Sequence, residues 1–210
     1  MNETLKRSIS GTAYVIIMWC GASYSQYTYR LLFFILAALS VHEMWKLRKG
    51  KSKTLAFVYI FTPFILVHFI LSNQLDGSWN ANLILFMFIL TWTFDTFAYF
   101  IGVKFGKHKI MPSISPKKSW EGFLGGFIST IIVAFFSYEK LDLQTIKVPF
   151  FISVILPFTA TLGDFISSHY KREAKVKDSG NIIPGHGGIL DRMDAFMITI
   201  PAVYILIKLL

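Results

Sequence analysis

Seven mostly apolar stretches, each near the length needed to cross a bilayer and separated by short polar segments, leave this chain few folds to choose from. They fall at roughly residues 9 to 24, 31 to 45, 55 to 72, 81 to 103, 122 to 137, 148 to 167 and 195 to 210. A hydrocarbon layer about 30 Å thick calls for about 20 apolar residues in a helix, because a helix satisfies its own backbone donors and acceptors away from water. The first two blocks are short for that thickness, and Tyr24, Tyr27 and Tyr29 extend them as interfacial aromatics. Charged residues make up 16% of the chain, against about 25% in soluble domains. The expected fold is an all-α, polytopic transmembrane bundle: one membrane domain over 1–210, with N-terminal spans in 1–80 and spans plus polar loops in 81–210.

Lys6 and Arg7 before an apolar block give the outline of a signal peptide. No small-residue cleavage site leads into a polar mature region, so the block is expected to stay as the first span. Cys20, the single cysteine, is expected to pack inside it and leaves no disulfide framework or cysteine zinc site. With the N-terminus inside, 17 of the 21 basic residues fall in cytoplasmic segments: Lys6 and Arg7, then 46–53, 104–118 and 171–192. That bias follows the positive-inside rule and puts the C-terminus outside. Basic loops facing anionic lipid account for the net charge of +9 without invoking nucleic acid, for which no interleaved basic and aromatic surface is present.

Topology explains the lysines of the segment 164–194 but not the carboxylates among them. If the sixth span runs on as a helix, Asp164, Ser168, Lys171 and Lys175 share one face. That stripe suits a metal beside phosphate oxygens, or else is a helix end whose snorkelling lysines pair with Asp164. Pro184 with Gly185, Gly187 and Gly188 breaks the helix, giving a loop whose N–H groups can approach a phosphate, or a plain connection between helices. Asp191 and Asp194 follow, three residues apart on one face. Two such carboxylates call for a cation, and Mg²⁺ characteristically uses one or two carboxylates plus substrate phosphates; capping and pairing with Arg192 is the plainer alternative. Asp164 and Asp178 are further candidate metal ligands, with a second cation as an open alternative. Lys171, Arg172 and Lys177, between the membrane-end carboxylate and the loop, read as phosphate holders, and His186 can touch phosphate, carry a proton or close the turn.

A second cluster follows the fourth span. Asp95 is costly inside an apolar block and reads as a functional group facing a cavity. Lys117 and Lys118, after a proline turn at Pro116, hold a lipid phosphate or merely obey topology. His42 and Glu43 close the second span, beside the same cavity or at the interface, and His68 reads as a packed histidine.

The runs Ser168-His169-Tyr170-Lys171-Arg172, Lys177-Asp178-Ser179-Gly180 and Pro184-Gly185-His186-Gly187-Gly188-Ile189-Leu190-Asp191-Arg192-Met193-Asp194 resemble the signature of bacterial phosphatidate cytidylyltransferases, or CDP-diacylglycerol synthases. The segments Asp95-Thr96 to Tyr99 and Ile114 to Gly122 also look like motifs of that family, so the resemblance is specific over roughly 90 to 210. It departs at Phe97, where glycine is common and a phenylalanine could narrow the cavity, at Ser167, where glutamate is common, and at Tyr170, where an aliphatic residue is usual.

The resemblance implies a Mg²⁺-dependent transfer of a cytidylyl group from CTP to phosphatidic acid, in a bacterial inner membrane with the active site facing the cytoplasm. Lys177, Asp178, His186, Asp191, Arg192 and Asp194 would be the catalytic set. Asp95, Lys117, Lys118, Ser168, Lys171, Arg172, Gly187 and Gly188 would bind substrate among membrane lipids. A related lipid nucleotidyltransferase or lipid kinase, a transporter of an anionic substrate and an inactive lipid-binding relative are the alternatives. Cysteines placed at positions 117 and 186, with Cys20 replaced, are expected to react with an impermeant maleimide from the cytoplasmic side only. Labelling from opposite faces would separate the two clusters and sink a shared site.

Overall fold

The computed structural model describes residues 3–72, 80–143 and 146–210. Among these residues the chain forms seven helices, α1 (Glu3–Ser23), α2 (Gln26–Leu47), α3 (Thr54–Ser72), α4 (Asn82–Phe105), α5 (Trp120–Ser137), α6 (Lys147–Glu173) and α7 (Leu190–Leu209). One antiparallel hairpin, β1 (Lys109–Met111) with β2 (Ser115–Ser119), lies between α4 and α5. Each expected apolar block became a helix. Of these, α4, α5 and α6 are long and apolar enough to cross a membrane, and α3 contributes the shorter apolar stretch Thr54–Ile70.

Helix α5 shows how sequence periodicity becomes packing. Gly122, Gly126, Thr130 and Ala134 recur every fourth residue and are buried, while Leu124, Ile128, Ile132 and Phe135 look outward. Lipid offers no hydrophobic drive to hold helices together, so close backbone approach along small residues must do it. A Cβ on Gly122 would sit 2.6 Å from the Ala98 carbonyl oxygen and 3.0 Å from Gly102 Cα of α4. The same device joins α6 to α7, where a Cβ on Gly163 would run into the Asp194 carbonyl. Tyr59 of α3 donates to the Gly163 carbonyl at 3.0 Å, and Thr159 and Thr199 hydrogen-bond at 2.8 Å farther along that seam.

Four polar segments meet at one end of the bundle. Arg48, after α2, pairs with Glu173 at the end of α6, and Lys51 reaches the same carboxylate at 3.5 Å. Lys118 on β2 pairs with Asp164 of α6 at 2.8 Å. Ser10 of α1 donates to the Pro184 carbonyl at 2.7 Å.

Three expectations change. Lys117 and Lys118 lie on a strand rather than after a proline turn; Pro116 is tolerated because the two-stranded ladder is all edge and its register shifts. Helix α6 stops at Glu173 and Lys175 takes a φ of +58°, so the stripe Asp164, Ser168, Lys171 ends there. Cys20 points outward instead of packing. The Gly122→Val variant is expected to lower the unfolding midpoint in detergent by the equivalent of about 1–3 kcal/mol, the usual cost of overpacking, whereas Leu124→Val on the outward face leaves it unchanged.

Candidate functional site

The connection from α6 to α7 is organised by two carboxylates that it surrounds. Glu43 of α2 is 2% exposed. Its Oε1 accepts from the Ile189 N–H at 3.0 Å, and its Oε2 from the Leu190 N–H at 2.9 Å and the Ser179 hydroxyl at 2.7 Å. Helix α7 has no side-chain cap of its own, so Glu43 satisfies from another helix the N–H groups a helix start leaves open. Asp191 takes Lys171 Nζ on Oδ1 at 2.7 Å, and the N–H groups of Ser179 at 2.8 Å and Gly188 at 2.9 Å on Oδ2. The Ser179 hydroxyl is also 3.0 Å from Asp191 Oδ2; it has one proton, and the shorter contact is the one to Glu43.

The glycines serve this arrangement. Gly187 has a φ of +84°, and a Cβ on it would lie 2.6 Å from Asp191 Oδ2. A Cβ on Gly188 would collide with Ser179 Oγ and the Glu43 carboxylate. Of the glycine-loop N–H groups expected to approach a phosphate, that of Gly188 is thus used by Asp191, as the Ile189 and Leu190 N–H groups that follow are used by Glu43, and the glycines make room for those carboxylates. An Ile183–Gly187 bridge closes the turn, and Arg192 donates to the His186 carbonyl at 2.8 and 3.2 Å.

Asp194 is placed differently. Its Oδ1 accepts from the next N–H, Ala195, at 2.8 Å, and its backbone abuts Gly163, the residue before Asp164, where α6 and α7 touch. Asp95 and Asp164 line a cavity of about 610 Å³ with Lys117, Lys118 and Lys109, walled by Phe94, Tyr99, Val103 and Phe123. Phe97 is exposed and is not among the cavity's walls. Ser168 and Lys171 are buried between this group and the loop. Ser167 is buried with its hydroxyl unpartnered, and Tyr170 stacks under Arg48 at 5.2 Å. His68 packs edge-on to Tyr29.

A second cavity, about 660 Å³, is bounded by Lys177, Asp178, His186 and Arg192 together with Lys6 and Arg7 of α1. Burial and then the neighbouring Arg192 charge hold His186 below its ordinary pKa, so it is neutral at neutral pH. Arg172 stands apart, exposed and donating to the Val176 carbonyl at 2.9 Å. Glu43, Ser179 and Ser10 are the members sequence reasoning missed or left undecided. For Glu43 the available signal was a carboxylate closing an apolar span; Ser10 carried none.

No three His, Cys, Asp or Glu side chains among the described residues gather to hold a metal by protein groups alone. The donor set nevertheless suits Mg²⁺, which completes its shell with substrate phosphates and water. Asp164 and Asp194 are oxygen donors on α6 and α7 at the point where the two helices touch.

A model described as the cytidylyltransferase family matches residues 8–210. A phosphatidate cytidylyltransferase of Thermotoga maritima is 42% identical over 158 residues, covering 72% of this chain and 57% of that protein. Phosphatidate cytidylyltransferases of Staphylococcus epidermidis and Staphylococcus aureus are 46% and 44% identical over 131 residues, 62% of this chain and 50% of each relative. The chain therefore spans between 50% and 57% of the length of these curated relatives.

The two aspartates of α7 should separate in a stability measurement. Asp191→Asn strands Lys171, whose side chain is 8% exposed, and is expected to cost about 3–5 kcal/mol, as breaking a buried pair does. Asp194 has no ion pair among the described residues, and Asp194→Asn keeps an oxygen for the Ala195 N–H, so it is expected to leave the unfolding midpoint unchanged or higher. Equal midpoints for the two variants in detergent would overturn this division.

Proposed function

The chain belongs to the cytidylyltransferase family, and from that premise we propose that it joins CTP to phosphatidic acid, forming CDP-diacylglycerol and pyrophosphate. The observation that carries this reading is a cavity of about 610 Å³ that brings the carboxylates Asp95 and Asp164 together with Lys109, Lys117 and Lys118, reached from Asp194 across the α6–α7 contact at Gly163 and distinct from a more polar, cation-lined cavity at the loop. A phosphate oxygen of phosphatidic acid, already anionic, attacks the α-phosphorus of CTP. The bond from that phosphorus to the bridging oxygen breaks, and pyrophosphate leaves with the electron pair. No strong base is needed; the difficulty is bringing two anions together, which positioning and positive charge relieve.

The partly apolar cavity suits the lipid. Its aromatic and aliphatic walls take the glycerol and acyl region, and Lys117 and Lys118 hold the phosphate, with Lys118 kept in place by Asp164. Asp194 and Asp164 would hold Mg²⁺, which supplies charge neutralisation at the nucleotide phosphates when bound. Asp178 is exposed beside the nucleotide cavity and is a further candidate. Asp191, with both oxygens engaged, orients Lys171 and the loop. Lys177, Arg192 and neutral His186 face the nucleotide phosphates.

The same reading sets the membrane arrangement: seven spans in a bacterial inner membrane, N-terminus inside, C-terminus outside, site facing the cytoplasm. Its support is that the basic segments with Lys6, Arg48, Lys118 and Lys177 meet at one end of the bundle through contacts to α6 and the loop after it, which the positive-inside rule puts in the cytoplasm.

The purified 210-residue chain in detergent, given phosphatidic acid, Mg²⁺ and each nucleotide in turn, is expected to release pyrophosphate and form lipid product with CTP. Asp194→Asn should remain folded and lose about 10²- to 10³-fold in rate, the cost of one strong transition-state contact, with a flattened response to Mg²⁺. A folded variant with normal turnover and normal Mg²⁺ dependence would refute the assignment.

A further inference from the structure

Lys6 and Arg7 precede the region that the family model matches, and the positive-inside rule already accounts for their charge. It does not account for their position. Ser10 donates to the Pro184 carbonyl at 2.7 Å, and its hydroxyl lies 2.9 Å from His186 Nδ1. The backbone of Gly11 faces the His186 ring, where a Cβ would stand 3.3 Å from Cε1. Arg7 lies across Gly185, where a Cβ would meet its Cγ at 2.8 Å. The first turns of α1 are thus seated on the turn between α6 and α7, with Arg7 against Gly185 and Lys6 on the rim of the same cavity.

They face a cavity whose charged lining is mostly cationic. Lys6, Arg7, Lys177 and Arg192 line it against a single carboxylate, Asp178. Among the described residues none of these four cations forms an ion pair with a carboxylate. Four positive groups around one space repel one another unless a negative ligand fills it. The volume of about 660 Å³ lies within the range of about 300–1,000 Å³ usual for small-molecule sites. Its walls offer Ile183 and Pro184 but no apolar surface long enough for an acyl chain, so the ligand comes from water.

We propose that Lys6 and Arg7 complete, with Lys177 and Arg192, a subsite for a water-borne polyphosphate: the phosphate chain of the nucleotide and the pyrophosphate it releases. This rests on the cytidylyl-transfer reading for its ligand, and on the cavity alone for its anion.

The test uses the 210-residue chain in detergent and its Lys6→Gln/Arg7→Gln variant. Calorimetric binding of inorganic pyrophosphate should weaken about tenfold or more, as loss of charge-assisted contacts to phosphate implies. KM for CTP should rise by a similar factor, while KM for phosphatidic acid in mixed micelles stays put and the charge-keeping Lys6→Arg/Arg7→Lys variant behaves as the parent. Unchanged pyrophosphate affinity, or a rise in KM for phosphatidic acid alone, would overturn the proposal, the second outcome marking a lipid-headgroup site. If the parent protein turns over no CTP, the activity reading fails while pyrophosphate binding still decides the subsite. Should the double variant not fold, Arg7→Cys in a Cys20→Ser background serves instead: pyrophosphate should slow its alkylation, and alkylation at the same rate with and without pyrophosphate would overturn the subsite.

Discussion

A carboxylate with 2% of its surface exposed, as Glu43 has, must find donors or give up its charge. The donors it finds are 136 to 147 residues away, in Ser179, Ile189 and Leu190. Because they belong to the loop and to the first turn of α7, α2 fixes where that helix begins. Asp191 follows from this, since it hangs from the same turn and shares Ser179 with Glu43. Lys171 follows from Asp191. The glycine pattern has the same origin: a Cβ at Gly180 would lie 2.6 Å from Glu43 Oε1, and one at Gly187 equally close to Asp191 Oδ2. A loop that looks built to admit a phosphate is, in its geometry, built to admit two carboxylates of its own protein.

That arrangement divides the labour between two aspartates one helical turn apart. Asp191 is answered by an ammonium and backbone N–H groups, so its charge is spent inside the fold. Asp194 has no ion pair among the described residues and abuts Gly163, the residue before Asp164. A carboxylate without a cation of its own gains little from the native structure, and in the proposed function it is left for an added one. On that proposal stability and chemistry pull on different residues of one motif.

The helices were legible because their cause is local: apolar blocks of spanning length must be helical wherever they lie in lipid. The second cluster was legible at Asp95, whose position in an apolar block has no cheap explanation. What could not be read were pairings between distant segments. Nothing near Lys118 announces Asp164, and nothing near Glu43 announces Ile189, because the distances that join them are set by helix packing at Gly122, Gly126 and Gly163. The hairpin escaped for a related reason: Lys109–Met111 and Ser115–Ser119 show no alternating pattern, and their pairing is secured from outside by Glu121, which accepts from the Lys107 and His108 N–H groups. The end of α6 was misjudged by two residues, where Lys175 turns left-handed.

The proposed reaction explains why cations come from separated segments. A single helix can present lysines three or four residues apart, but they repel one another and point one way. A lipid phosphate at the membrane surface and a nucleotide phosphate chain from water approach from different media, so the charges that receive them must come from different walls. The hairpin supplies Lys117 and Lys118 beside apolar surface, while α1, the loop and the start of α7 supply Lys6, Arg7, Lys177 and Arg192 beside polar surface. Arg192 and Asp194 lie two residues apart near the start of α7. If that stretch shifted, Arg192 in the polar cavity and Asp194 against α6 would move together, and in the proposed reaction the two phosphates would lose their relative alignment. On that reading the buried carboxylate on α2 that pins the helix start is a condition of bringing two anions into line.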